Sequence, residues 1–141
     1  MTKSKRSAGS PAAAPPEFFL DRCLGRGVAK RLRERGWVVH LVADLFPDDG
    51  QHTPDEEWIA FGLSQGWALL TQDGRIRYRA AELSALADGQ CVMFCPSSGN
   101  LRIEQRAERF DASRPAIYGA ANRGTAAFYT VYADHIVKKW P

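Results

Sequence analysis

Apolar positions along the chain alternate between two rhythms, short β-rich runs and longer stretches with helical spacing. Glu17 to Leu20 reads as a short buried strand. Leu24, Val28 and Leu32 then recur at i, i+4 and i+8, with Arg26, Lys30, Arg31, Arg33 and Arg35 around the rest of the wheel, so an amphipathic helix is predicted that Gly36 stops. Trp37 to Val42 is a second strand, and Phe46 to His52 a polar loop. Thr53-Pro54-Asp55-Glu56 carries a helix-start signal: Thr at the N-cap, Pro at the first helical position, and Glu three residues after the cap. The helix continues through Trp58, Ile59 and Leu63 and ends near Gly66. Trp67 to Thr71 gives a third strand. Ile76, Ala80, Leu83 and Ala87 mark a helix ended by Gly89, and Cys91 to Cys95 is a fourth strand closed by Pro96.

Strands alternating with helices predict a parallel sheet covered by helices, an α/β fold. The remainder changes style. Ile103, Ala107 and Phe110 suggest one short helix broken before Pro115, and Phe128–Tyr132 with Ile136–Trp140 suggest a β-hairpin turning at Ala133-Asp134-His135. The expected organisation is a tail over residues 1–16 and a single domain over 17–141, with a core at 17–100 and a carboxyl-terminal extension at 101–141.

Composition adds little to this picture and removes several classes. A 45% hydrophobic and 25% charged chain of 141 residues is that of an ordinary globular domain. No apolar run is long enough to span a bilayer. Met1 to Pro16 holds Lys3, Lys5 and Arg6 with no apolar stretch after them, unlike a secretory signal, and the expected location is the cytoplasm. Cys23, Cys91 and Cys95 match no zinc spacing with His40, His52 or His135, so reduced, mostly buried thiols are expected. The net charge of +3 is uneven: residues 17–100 hold nine basic against twelve acidic residues, and residues 101–141 hold seven against four. The acidic middle is where the chemistry gathers.

Two strand runs end in aspartate, Asp21 and Asp73, and Asp55-Glu56-Glu57 opens the helix between them. Singly, each acid has a plain role: Asp21 as a helix cap, Asp55 and Glu56 as first-turn acids favoured by about 0.3–1 kcal/mol, Asp73 as a turn residue. Jointly they point elsewhere. Side chains at the carboxyl ends of parallel strands converge on one crevice. Carboxylates gathered there repel one another unless a cation lies between them, and oxygen-only donors suit Mg²⁺ or Mn²⁺.

The runs "FFLDRCLGRGVAKRLRERGW", "PDEEWIAFGLSQGWALLTQD" and "GRIRYRAAEL" resemble, in order and spacing, the PIN-like nucleases, and in particular the small toxin members of type II toxin–antitoxin modules. The shared features are Asp at the end of the first strand, an Asp-Glu helix start after a polar loop, and a strand ending in Thr-x-Asp. The resemblance covers about residues 17–100. It implies a parallel-sheet PIN-like α/β/α sandwich and metal-assisted hydrolysis of RNA phosphodiesters, leaving 3′-hydroxyl and 5′-phosphate ends. It also implies Asp21, Asp55 and Asp73 as catalytic, metal-binding carboxylates, with Glu56 and Glu82 as additional acid candidates and Glu57 as a substitute for Asp55. The partners implied are an RNA substrate and a protein antitoxin, with a homodimer left open.

Around these acids, Arg22, Arg26, Arg75, Arg77 and Arg79 are placed to hold a phosphate backbone, Arg22, Arg75 and Arg77 being the foremost candidates, and Tyr78, Trp58 and Trp67 offer rings for unpaired bases. His40 reads as structural, His52 as a loop residue and His135 as a turn residue. Two other readings compete: a catalytically inactive PIN-like module that binds nucleic acid or protein, and a receiver- or phosphatase-like domain using a strand-end aspartate as nucleophile. The Asp-x-Asp spacing and the later strand-end lysine that the last would need are missing.

Overall fold

A computed structural model describes residues 14–141. The expected tail therefore lies almost wholly outside the described residues. In chain order the elements are β1 (Glu17–Leu20), α1 (Arg26–Glu34), β2 (Val38–Leu41), α2 (Val42–Leu45), α3 (Asp55–Gln65), β3 (Ala68–Leu70), α4 (Ala80–Gly89), β4 (Val92–Pro96), α5 (Ile103–Ala112), α6 (Arg114–Arg123), β5 (Ala127–Val131) and β6 (Ile136–Trp140). They build one six-stranded sheet in the order β2-β1-β3-β4-β5-β6. The first five strands run parallel and β6 returns antiparallel along β5. β1 thus sits between β2 and β3, which sets its carboxyl end beside that of β3.

Alternation along each strand divides the core. Phe18 and Leu20 face one side, packing with Leu24, Val28 and Leu32 from the α1 region and with Phe110 and Ile117 of α5 and α6. Phe19 faces the other side, against Trp58 and Ile59 of α3 and Leu86 of α4. Both faces of the sheet are covered, as a parallel sheet requires, because strands buried on both sides cannot meet water. The fold is the α/β/α sandwich expected.

Several local expectations are corrected. The helix after β1 begins at Arg26, and Leu24 lies in a separate 3-10 turn, Arg22–Leu24, that Asp21 precedes without a side-chain cap bond. The Thr53 capping box does not form. Pro54 holds the N-cap position, its carbonyl accepting from Glu57 and Trp58, and Asp55 opens the helix. α4 does end on Gly89, although the left-handed residue that follows it is Gln90. Gly89 also lies close to Leu63, whose side chain a Cβ there would meet. The helix expected from Ile103 ends before Pro115, but a further helix that was not expected, α6, follows it, with Pro115 in its first turn, where its fixed φ suits a helix start. Beyond α6, β5 joins the sheet beside β4 and the predicted hairpin forms with β6.

Gly62 governs how closely α3 approaches the sheet. A Cβ there would meet Leu69 Cδ2 at 2.7 Å and Phe19 Cδ2 at 3.0 Å, and both side chains are fully buried. Gly62→Ala should therefore destabilise the fold by about 1–3 kcal/mol from overpacking. That outweighs the helix-propensity gain of about 1 kcal/mol. Urea unfolding would show the midpoint fall; an unchanged or higher midpoint would contradict this packing.

The two margins of the sheet are dressed. On β2, Arg33 Nη2 donates to the Val39 carbonyl at 2.7 Å. On β6, Lys138 and Lys139 are both exposed.

Candidate active site

The topology brings three chain segments to the carboxyl end of the sheet. Asp21 follows β1 directly, and its amide donates to the Leu70 carbonyl at the end of β3, 2.9 Å away. Asp73 lies three residues beyond β3. Asp55 is the first residue of α3, which runs back to feed β3, so its amino end stands above the same edge. Asp21, Asp55 and Asp73 line one cleft of about 190 Å³, together with Cys23, Thr53 and Trp58. The three acids expected to act together do share one cleft.

Asp21 is buried. Its Oδ2 accepts from Thr71 Oγ1 at 2.7 Å and from Cys23 Sγ at 3.3 Å. Burial pushes its carboxyl above the usual range, the nearby Asp55 charge adds to that, and the Thr71 bond works against it. Thr71 Oγ1 also accepts from the Asp73 amide at 3.0 Å. This one buried hydroxyl ties two of the acids together, and the Thr-x-Asp spacing is its signal in the sequence. The Cys23 thiol, pushed up to about 12 chiefly by burial and by Asp21, stays protonated and serves as a donor. Cys91 and Cys95 are buried thiols raised likewise; Cys23 as a residue is exposed, but its sulfur is tucked against Asp21, Thr71 and the Gln72 amide.

A second group forms around Arg79. Its Nη1 lies 3.1 Å from Asp55 Oδ2, 3.2 Å from Asp73 Oδ2 and 3.4 Å from Glu82 Oε2. Asp55 Oδ1 accepts in addition from the buried Trp58 indole at 2.9 Å, which turns that carboxylate inward. Burial alone would raise the Asp73 carboxyl, but the bonds from Arg75, side chain and backbone, and the charge of Arg79 hold it below the ordinary value. Glu82, buried in the first turn of α4, is thereby drawn to the acid group through Arg79. Glu56 and Glu57 are exposed on the outer side of α3, away from Asp55. Arg79 was only one of five flanking arginines in the sequence; that it sits between three acids is legible only in three dimensions.

Among the described residues no three acidic, histidine or cysteine side chains stand as a closed ligand set. Asp55 and Asp73 are turned to Arg79 and Arg75 instead. The chemistry of the donors nonetheless fits a hard divalent cation: the acids contribute only oxygen, from three segments. Asp21 in particular is a buried carboxylate beside another carboxylate, and no Lys or Arg among the described residues forms an ion pair with it. A positive ion at this cleft would relieve both the burial and the repulsion.

The flanking candidates separate. Arg22 is exposed on the cleft wall. Arg75 is bound to Asp73 at 2.9 Å, and Arg77 lies over the ring of Tyr78, which is 74% exposed. Trp58 is core, and Trp67 packs on His40 with ring centroids 3.8 Å apart, so neither offers a free ring. His40 also bonds Glu17 and is structural; His135 lies in the hairpin turn against Tyr132. His52 is exposed in its loop.

Comparison with known proteins agrees with this architecture. No solved structure matches the chain. The chain is 32% identical over 123 residues, 86% of its length and 89% of the relative's, to a protein of Mycobacterium tuberculosis (strain ATCC 25618 / H37Rv) named "Putative ribonuclease VapC45". A family model described as "PIN like domain" matches residues 16–98, the span that carries Asp21, Asp55, Asp73 and Glu82. The order of strands, the acids at the carboxyl end of the sheet and this match together place the chain in the PIN-like domain family.

Proposed function

We propose that the chain is a divalent-cation-dependent endoribonuclease, the toxin of a two-component module restrained by a protein antitoxin. The observation that carries this reading is the convergence of Asp21, Asp55 and Asp73 on one cleft, with Asp21 buried beside Asp55. The relative's name, "Putative ribonuclease VapC45", supports RNA as the substrate, and the antitoxin rests on the resemblance to toxin members of two-component modules. Asp21 and Asp73 are the cation-holding residues, with Asp55 completing the shell and Glu82 the fourth acid.

A bound Mg²⁺ or Mn²⁺ supplies Lewis acidity and lowers the pKa of water toward neutrality. The chain's own residues prepare that site. Thr71 fixes the orientation of Asp21 and spaces it from Asp73. Trp58 holds Asp55 inward. Arg79 balances Asp55, Asp73 and Glu82, which limits repulsion among acids that must sit close together. Arg22, on the rim of the same cleft, is placed to meet a phosphate. Among the described residues no helix is long and apolar enough to cross a membrane, and the reading places the protein with its RNA in the cytoplasm.

The test is cleavage of total RNA by the purified protein, mapped with Mn²⁺ and with EDTA, alongside Asp73→Asn. Discrete cuts that need Mn²⁺ and vanish in the variant are expected. Equal cutting in EDTA would remove the cation from the reaction. Calorimetry with Mn²⁺ separates the inactive-module reading, which expects no carboxylate-dependent binding in the millimolar range.

A further inference from the structure

Next to the acid cleft lies a larger one of about 680 Å³, within the roughly 300–1,000 Å³ of ligand sites. The two share Cys23 and Asp73. Its walls come from the segment after β3, the end of β4 and the β5–β6 hairpin, so it needs the carboxyl-terminal part of the chain that the family match does not reach. Three bases line it, Arg75, Arg77 and Lys139, against one acid, Asp73, which Arg75 already neutralises. Two tyrosines line it: Tyr78, largely exposed with Arg77 4.7 Å from its ring centre, and Tyr132, whose ring has Lys139 at 5.8 Å and stacks on His135 with ring centroids 4.8 Å apart.

Positive charge and the open ring of Tyr78 select a single class of ligand. We infer that this cleft is a subsite for unpaired nucleotides of RNA flanking the scissile phosphate, with a base stacked on Tyr78 and phosphates held by Arg77 and Lys139. A docking peptide would call for apolar anchors, whereas this wall pairs each ring with a cation.

The inference deepens the nuclease reading and rests on it for the scissile position, so binding is measured apart from cutting. The probe is a fluorescein-labelled short oligouridylate, titrated with protein in EDTA and followed by anisotropy, with a duplex RNA of equal length as comparison. Tyr78→Ala should weaken single-strand binding about fivefold or more, in line with base–aromatic stacking, while Tyr78→Phe binds as wild type. Lys139→Gln should lower the slope of log affinity against log salt by about 0.7. Tyr78 is exposed, so its variant tests the site without loading the core. Affinity within twofold of wild type in Tyr78→Ala overturns the subsite. So does a loss that appears equally with duplex. If Tyr78→Ala loses only the binding of a neighbouring-encoded partner protein, the cleft belongs to protein and the inference fails. A chain that binds through Tyr78 yet never cuts keeps the subsite and loses the nuclease reading.

Discussion

Asp21→Asn is expected to stop RNA cleavage, with a rate loss of about 10²-fold or more, and to raise the melting temperature of the ion-free protein. The two effects have one cause. Asp21 is a buried carboxylate whose charged form is disfavoured by burial and by Asp55. Asn keeps the shape and an oxygen for the Thr71 hydroxyl at 2.7 Å, but brings no charge to desolvate. The fold therefore gains where the chemistry loses, since a pre-placed charge at a reacting centre is commonly worth about 10²–10³ in rate. Mn²⁺ should reverse the order: ligand binding to the folded state stabilises by mass action, so the ion raises the wild-type melting temperature and not that of the variant. Thermal melts with and without Mn²⁺, beside a gel assay on RNA, check both halves. Cleavage at the wild-type rate, or equal stabilisation of both proteins by Mn²⁺, would sink the assignment of Asp21.

Trp58 carries the second large effect, on stability first. It is 1% exposed and packs edge-on to Phe19 with ring centroids 6.0 Å apart. Trp58→Ala should cost about 3–5 kcal/mol, a large part of the roughly 5–15 kcal/mol that holds a domain folded. Trp58→Phe retains most of the packing but deletes the indole N–H that reaches Asp55 Oδ1 at 2.9 Å. That variant should stay folded and lose activity through a misdirected Asp55. Denaturant midpoints and cleavage rates on the same preparations separate the two roles. If Trp58→Phe cleaves normally, Asp55 does not depend on this bond.

The layout of the domain was legible because each strand and helix carries its own period. Phe18 and Phe19 announce a strand buried on both sides, and Leu24, Val28 and Leu32 announce the face of α1. Asp21, Asp55 and Asp73 were legible as a group because strand ends and a helix start converge by topology alone. What escaped was set by packing. The break before Pro115 was legible, but not the helix α6 that Pro115 helps open, since the residues after it carry only Ile117 and Ala120 as buried positions. Gly89 was legible as a stop, but not its close approach to Leu63. Arg79 and Thr71 bridge segments far apart in the chain, and local sequence does not encode which acid they meet. The choice of Asp55 over Glu56 and Glu57 likewise came from orientation on α3, which the Trp58 bond fixes.

The dressed margins of the sheet bear on how copies of this chain meet one another in a crowded solution. An open strand edge is a template on which a second molecule can add its own strand and begin to aggregate. Here Arg33 occupies a carbonyl of one outermost strand, and two exposed lysines charge the other. Strand-to-strand zippering is thus disfavoured at both ends, and self-association of the folded chain is left to its helical faces.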